Sequence, residues 1–168
     1  VIPTFNGYAP TGNVTAEVVY VNYGSIDDFT YLKEQGIELE GKIAIARYGS
    51  IFRGVKAMIA QQHGMVGILI YSDPADDGYA KGPVYPEGPW RSNSSVQRGS
   101  AQFLSICPGN PARKICALKG QEDTYSYTDV IPAIPVQPLS YGDAFPILKS
   151  LGGPTVPSDM AGGFSFNF

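Results

Sequence analysis

The sequence predicts a mixed α/β fold, and two patterns carry the prediction. Apolar and β-branched runs that are typical of strands occur at residues 15–24, 41–48 and 66–71. Between these runs lie two segments with the polar and apolar spacing of helices. Strands that alternate with helices indicate a sheet with parallel pairing. With 168 residues, of which 43% are hydrophobic, the chain is long enough to bury a core.

The first predicted helix follows the strand at 15–24. Ser25 is its expected N-cap, and Asp28 stands three residues further on, which is a variant of the capping box. Gly36 is the expected end of this helix, since glycine readily adopts the left-handed conformation that closes helices.

The second predicted helix follows the strand at 41–48 and ends at Gly64, with Ser50 as its candidate N-cap. Its spacing predicts an inward face made of Val55, Met58, Ile59 and Gln62. The next run, "VGILIY", is continuously apolar, which favours a strand covered on both faces.

The composition changes after Asp73. Residues 74–100 are dense in glycine, proline and serine, and we predict an ordered loop anchored by Tyr79, Tyr85 and Trp90. The following "AQFLSI" is a candidate strand that leads into the segment between the two cysteines.

Three features organise the last part of the chain. Prolines recur at every third position in "VIPAIPVQPLS", a pattern that only an edge strand or a polyproline-like segment accepts. Ser140 and Asp143 are expected to cap a helix through Leu151, which Pro146 should distort. The final "GGFSFNF" resembles a strand cut in mid-course, so we expect residues 1–168 to be one domain of a longer protein.

Charge and hydropathy exclude several classes of protein. The formal net charge is −3, whereas nucleic-acid-binding domains concentrate lysine and arginine. The longest strongly apolar run is far shorter than a membrane span. The first residues do not show the basic and apolar pattern of a signal peptide, which suits a mature or excised piece.

Two features favour the secretory pathway. Asn13 and Asn93 each begin an N-glycosylation sequon in a polar, turn-rich setting. Cys107 and Cys116 enclose a short loop, and a disulfide there would stabilise the fold by about 2–3 kcal/mol. Two unpaired, buried thiols are the alternative.

The sequence offers no complete catalytic constellation. His63 is the only histidine and lies at a helix end, so it cannot build a hydrolytic zinc site or serve a paired cysteine nucleophile. No Gly-x-Ser-x-Gly motif is present. The acidic residues Asp73, Asp76 and Asp77 indicate either a turn or a Ca²⁺ site, although their spacing is not that of an EF-hand. We therefore expect a chain that is not an enzyme by itself.

Two arginines remain as candidates for binding. Arg53 in "FRG" lies near a helix start, and Arg98 lies in "QRG". The glycines permit close approach of a ligand or of another backbone, and a guanidinium can clamp a carboxylate through two hydrogen bonds. An internal ion pair with one of the 15 acidic residues is the alternative.

Several motifs occur here in an order that resembles a known family. These are "VVYVNYGSIDDFTYLKEQGIELEGKIAIARYGSIFRG", "GMVGILIYSDPADDG", "YPEG", "VQRG" and "IPAIPVQPLSYGDA". From about Val18 to Gly153, the chain is similar to the protease-associated (PA) domain of the glutamate carboxypeptidase and transferrin receptor family. The resemblance implies a swivelling β/β/α fold, with a sandwich or barrel-like sheet and about three helices.

The resemblance also implies a role for Arg53. In glutamate carboxypeptidases the arginine of "FRG" reaches from the PA domain to the terminal carboxylate of the substrate. The residue after "VQRG" helps to line that pocket and is commonly asparagine, whereas this chain has Ser100. Arg53 and Ser100 are therefore the expected substrate-binding residues, with a weaker preference for glutamate.

The family's catalytic zinc belongs to a neighbouring peptidase domain, so the resemblance implies no cofactor in this chain. A structural calcium site is not expected, because "CPGNPARKIC" replaces the family's usual calcium-binding segment. The implied partners are the peptidase domain of the same parent chain and a peptide substrate, and the parent is secreted, vacuolar or membrane-anchored and in some cases homodimeric. In the alternative reading, the chain is an interaction, sorting or receptor module of a protein without peptidase activity.

Overall fold

A four-stranded parallel sheet forms the centre of the structure. The structure is a computed structural model that describes residues 3–111, 115–116 and 125–166, with only the backbone of 115–116. Within these residues the strands are β1 (Asn6–Gly7), β2 (Val18–Tyr20), β3 (Ile43–Arg47), β4 (Gly67–Tyr71), β5 (Gly99–Ser100), β6 (Gly109–Asn110), β7 (Ile115–Cys116) and β8 (Val136–Leu139). The helices are α1 (Ile26–Glu34), α2 (Arg53–Gln62), α3 (Pro74–Asp77) and α4 (Tyr141–Lys149), with a 3₁₀ turn at Tyr127–Asp129.

The central sheet has the order β2-β3-β4-β8, and all neighbouring strands run parallel. In the register, Ile45 lies opposite Leu69, and Leu69 lies opposite Gln137. Ile68 and Ile70 of β4 are buried on one face of the sheet and Tyr71 on the other, which confirms that "VGILIY" is a strand covered on both faces. Pro138 lies in β8, an edge strand of this sheet, as the proline spacing predicted.

Helices cover both faces of the sheet, which confirms the mixed α/β class. On one face, Phe29 of α1 and Ala57 of α2 pack against Ala46 and Ile70. On the other face, α4 and residues 156–166 pack against the side chains of β2, β3 and β4, among them Tyr20, Ile45 and Tyr71.

The predicted caps of α1 and α4 are confirmed. Ser25 accepts a hydrogen bond from the Asp28 amide, and the Asp28 carboxylate accepts one from the Ser25 amide, so the capping box is complete. Ser140 accepts from the amide of Asp143 in the same way. Helix α4 continues through Pro146 to Lys149.

The start of α2 differs from the prediction. Its N-cap is Phe52, which provides no side-chain cap, and Ser50 is instead a turn residue with a φ of +60°. The cause is a tight turn after β3, in which the Ile51 amide donates to the Gly49 carbonyl at 2.7 Å.

The buried face of α2 also differs from the prediction. Gln62 is exposed, and small residues such as Ala57 and Ala60 are buried together with Lys56. Helix α2 packs closely on the sheet, and close packing favours small side chains at the contact. The prediction placed Val55 and Met58 there because they are large and apolar.

Two predicted strands are wrong within the described residues. "AQFLSI" forms a turn, because the side-chain amide of Gln102 donates to the backbone carbonyls of Cys107 and Gly109 and folds the chain back. Residues 162–166 form turns and bends, since Phe164 and Phe166 pack edge-on against Phe145 instead of pairing with a strand.

The loop at residues 78–90 is anchored by two of the three expected aromatic residues. The Tyr79 ring meets Tyr141 edge-on at 5.6 Å, and the Trp90 ring lies against Gly82. Tyr85 is 75% exposed, so its predicted anchoring role is wrong. Its backbone amide, which donates to the Trp90 carbonyl at 2.9 Å, holds this segment instead.

Candidate functional site around Arg53

Arg53 is the first residue of α2, and its guanidinium lies against strand β5. Its Nη2 donates to Gln97 Oε1 at 2.9 Å, and its Nη1 donates to the Ser100 carbonyl at 3.3 Å. Its Nε is buried and has no hydrogen-bond partner among the residues that the structure describes. Because α2 starts where β5 pairs in parallel with β1, the fold brings together segments that are more than 40 residues apart.

The glycines of "FRG" and "QRG" permit two close approaches. A Cβ on Gly99, whose φ is +143°, would lie 2.4 Å from Arg53 Nη1, so the guanidinium packs directly on the backbone. A Cβ on Gly54 would lie 2.2 Å from the Gln102 carbonyl oxygen. Both glycines therefore allow close approach, as the sequence predicted.

Aromatic rings enclose the guanidinium of Arg53. Its central carbon lies 5.6 Å from the centroid of Tyr48 and 5.0 Å from that of Phe52. The Tyr48 hydroxyl donates to the Gln97 carbonyl at 2.9 Å and accepts from Asn6 Nδ2 at 3.3 Å, and burial raises the pKa of this hydroxyl. These contacts hold the backbone of Gln97 in place beside Arg53.

No carboxylate pairs with Arg53 among the described residues. The ion pairs there are Lys42–Glu17, Arg47–Asp76 and Arg91–Asp77. Arg53 is half-buried, and its hydrogen-bond partners are neutral oxygens. The internal ion pair that the sequence left open is not found in this part of the chain, and the site presents a positive charge whose Nε is the one guanidinium nitrogen without a partner among the described residues.

The two other predicted binding residues, Ser100 and Arg98, differ in their position relative to Arg53. Ser100 turns its carbonyl to Arg53, while its hydroxyl accepts from the Gln102 amide at 3.1 Å. Arg98 is exposed, and its Nε donates to the Pro3 carbonyl at 3.4 Å. The structure thus joins Ser100, but not Arg98, to Arg53.

Sequence reasoning missed Gln97, Tyr48 and Asn6. Gln97 stands in the quoted "VQRG" motif, in which only the arginine and the glycine drew attention. Tyr48 and Asn6 carry no local signal, because β1 is two residues long and its pairing with β5 is visible only in the fold.

Comparison with known proteins places this geometry in a family. A family model described as the PA domain matches residues 14–104, which are more than half of the chain and include Arg53, Gln97 and Ser100. The chain belongs to the PA domain family. The family that the motifs suggested is therefore confirmed.

Long relatives contain a similar segment. This PA domain is 49% identical over 93% of its length to "Probable glutamate carboxypeptidase" of Arthroderma benhamiae, of which it covers 22%. It is 36% identical over 96% of its length to "Aminopeptidase NAALADL1" of Rattus norvegicus, again covering 22%. It is 39% identical over 89% of its length to "Vacuolar protein sorting-associated protein 70" of Saccharomyces cerevisiae, of which it covers 19%. The chain thus spans about a fifth of the length of these relatives.

The acidic residues after β4 serve the PA domain's own structure. Asp73 is fully buried and accepts from Tyr71, Ala75 and Gly163, and burial raises its pKa. Asp76 and Asp77 pair with arginines. Within the described residues no group of three or more His, Cys, Asp and Glu could hold a metal ion. Where the sequence predicted a turn or a Ca²⁺ site, the structure has the short helix α3, with Asp73 as its N-cap.

His63 closes α2 as its C-cap residue. Its ring stacks on Phe29 at 4.7 Å, with an angle of 1° between the planes. Partial burial and the neighbouring Lys33 both lower its pKa. His63 is thus a packed residue at the C-terminal end of α2, and Arg53 lies at the opposite end of this helix.

The expected modification sites are exposed where the structure describes them. Asn13 and Asn93 are both exposed. Cys107 is buried, and the antiparallel β6–β7 pair sets the backbone of Cys116 opposite Gly109. The side chain of Cys116 lies outside the described residues, so the disulfide stays a prediction.

Across the described part of the PA domain, no helix has the length and apolar character needed to cross a membrane.

Proposed function

We propose that this PA domain is a non-catalytic part of a larger zinc peptidase similar to glutamate carboxypeptidases. In that protein it caps the active-site cleft and binds the substrate's carboxylate through Arg53. Relatives named as a carboxypeptidase and an aminopeptidase support the class, and the chain corresponds to about a fifth of each. The zinc ligands and the reaction centre are assigned to the peptidase domain of the same parent chain.

The observation that carries the proposal is the state of the Arg53 guanidinium. It is half-buried beside two aromatic rings, and among the described residues its acceptors are neutral and its Nε has no partner. Low local polarity strengthens a charge-assisted hydrogen bond. A bidentate contact to a carboxylate would contribute about 1.5–3 kcal/mol, which corresponds to about one to two decades in affinity.

Ser100 contributes to the proposed pocket through its backbone. Its carbonyl fixes Nη1 of Arg53, while its hydroxyl is already bonded to the Gln102 amide. The hydroxyl accepts from the Gln102 backbone amide and can still donate its own hydrogen, but the serine side chain is shorter than asparagine and lacks the geometry of an amide. This supports a substrate preference broader than glutamate.

We further propose that the parent protein passes through the secretory pathway. Both sequon asparagines are exposed, as glycosylation requires, and a Cys107–Cys116 disulfide would brace the loop between β6 and β7. The relative named for vacuolar protein sorting supports the same route.

The test is steady-state kinetics of the full-length protein with Arg53→Ala. For peptides that end in a free acidic residue, we expect KM to rise about tenfold to a hundredfold. Arg98→Ala is the matched control, because it removes an exposed arginine of the neighbouring motif, and it should leave KM within twofold. Unchanged KM and kcat in Arg53→Ala would refute the pocket role.

A second candidate function, protein binding or sorting, is favoured by the exposed Tyr85 and by the vacuolar sorting relative. The two functions are separated by the activity of the purified full-length protein with zinc. Peptide cleavage supports the first function, and complete inactivity toward a broad peptide library supports the second.

A further inference from the structure

The side chain of Gln97 accepts a hydrogen bond from Arg53 Nη2, a nitrogen that a bidentate carboxylate would also use. We infer that Gln97 holds the place of one ligand oxygen in the unliganded domain and must withdraw before a carboxylate can bind. Gln97 is thus a positioning residue that competes with the ligand. This inference rests on the proposed function of Arg53.

The first argument is the number of acceptors on that edge. Nε and Nη2 point the same way from a guanidinium, and the two oxygens of a carboxylate match them with parallel hydrogen bonds. The Gln97 amide has one oxygen, which accepts from Nη2 at 2.9 Å. Nε beside it is buried without a partner. The edge is therefore half-satisfied, and a carboxylate would complete it.

The orientation of the Gln97 amide follows from chemistry. Arginine has only donors, so the atom that faces Nη2 must be the amide oxygen and not the nitrogen. Gln97 therefore offers Arg53 an oxygen of the right kind but with a partial charge, whereas a carboxylate offers a full negative charge. A carboxylate also has two oxygens and can form two parallel hydrogen bonds to the guanidinium, so a ligand can displace Gln97.

The second argument concerns which side chain moves. Nη1 is held by the Ser100 carbonyl, and the guanidinium rests on the Gly99 backbone. Both contacts are with strand β5, which is paired to β1. Gln97 precedes this strand, its backbone carbonyl is held by Tyr48, and its long side chain can change rotamer. Exchange with a ligand therefore needs rotation of Gln97 and leaves Arg53 in place.

Two substitutions of Gln97 have opposite expected effects. Gln97→Met keeps the length of the side chain and removes the oxygen, so the ligand no longer competes with it. We expect affinity for a carboxylate to rise about threefold to tenfold, the equivalent of one net hydrogen bond. Gln97→Glu places a carboxylate on the Nε and Nη2 edge, and we expect affinity to fall at least tenfold.

The experiment is calorimetric titration of the full-length protein with N-acetyl-L-glutamate. The uncharged N-acetyl-L-glutamine amide is the control probe, and neither substitution should change its binding by more than twofold. Gln97→Glu should also raise the melting temperature, because it adds an ion pair, and this shift confirms that the variant folds. Arg53→Ala is titrated in parallel.

The outcomes separate the two proposals. If Arg53→Ala binds N-acetyl-L-glutamate as the unsubstituted protein does, the proposed function fails, and this inference fails with it. If Arg53→Ala weakens binding but the two Gln97 variants change it in the same direction, or not at all, the role of Arg53 stands and the inference is overturned. Opposite changes in the two Gln97 variants support it, since a purely structural glutamine would give losses in both.

Discussion

Arg47 and Arg53 stand six residues apart, on either side of the turn after β3, and their surroundings differ. Arg47 is 4% exposed, and its Nε and Nη2 both donate to Asn22 Oδ1, at 3.1 and 2.7 Å. Its Nη1 lies 3.4 Å from a carboxylate oxygen of Asp76, and its guanidinium lies 4.0 Å from the Tyr23 ring centroid. Within the described part of the chain, Arg53 has only neutral partners, and its buried Nε has none.

The difference separates a cation that is paired within the fold from one that has no charged partner among the described residues. The contacts of Arg47 continue into α1, because Asn22 Nδ2 donates at 2.8 Å to Asp28, the carboxylate of the capping box. This chain of bonds links β2, β3 and α1 and contains its own negative charges. Arg53 lies outside this chain of bonds.

The largest expected effect comes from Arg47→Met. The substitution leaves the buried Asn22 oxygen and the partly buried Asp76 without their cation, and loss of one partner of a buried pair costs about 3 kcal/mol or more. Arg53→Met is the matched control, and we expect it to cost less than about 1 kcal/mol, since its partners are neutral. Urea unfolding with unchanged m-values measures both. Equal losses would contradict the distinction between the two arginines.

Much of the fold could be predicted from the sequence because its signals are local. The capping box of Ser25 and the proline pattern of β8 depend on residues near one another in the chain. At these positions the local preference agrees with the tertiary structure.

The contacts that distinguish the two arginines could not be predicted, since their partners are distant in sequence. Asn22 and Asp76 reach Arg47 only through the parallel register of β2, β3 and β4. The burial of Lys56 was missed for the same reason, because a charged residue in a helix pattern is expected to face solvent. Tertiary contacts decide these positions.

The second-largest expected effect concerns Lys56, whose side chain connects the turn after β2 with the turn after β3, close to both arginines. Its side chain is fully buried, and its Nζ donates to the carbonyls of Tyr23 and Gly49, at 2.6 and 2.8 Å. Burial lowers the pKa of Lys56 to about 7; nearby Asp28 and Asp76 oppose this, while Arg47 and Arg53 add to it. Two acceptors suit the two N–H groups of a neutral amine.

A lowered pKa makes stability depend on pH. Between about pH 7 and the ordinary lysine pKa near 10.4, the unfolded chain holds a proton that the folded chain has released. The free energy of unfolding therefore rises with pH in this window, by at most about 1.4 kcal/mol per pH unit, and is flat with respect to Lys56 below it. Unfolding in urea at pH 7.0, 7.75 and 8.5 measures the slope. Lys56→Met should reduce it, and an equal slope in the variant would contradict the assignment.

The smallest expected effect tests how far the Arg47 chain of bonds extends. Ser25 and Ser140 are both N-caps whose hydroxyl accepts from the amide of an aspartate three residues on, and either alanine substitution should cost about 1 kcal/mol. Only the aspartate beside Ser25 also bonds Asn22, the partner of Arg47. Ser25→Ala frees Asp28 to shift and weakens that bond as well, so we expect it to cost more than Ser140→Ala.

A double-mutant cycle sharpens this comparison, because sites that share partners are not additive. Ser25→Ala combined with Arg47→Met should cost at least about 0.5 kcal/mol less than the sum of the single losses, since Arg47→Met has already broken the chain of bonds. Ser140→Ala combined with Arg47→Met should be additive, because Ser140 caps a helix on the opposite face of the sheet. Additivity in both pairs would mean that the contacts of Arg47 end at Asn22.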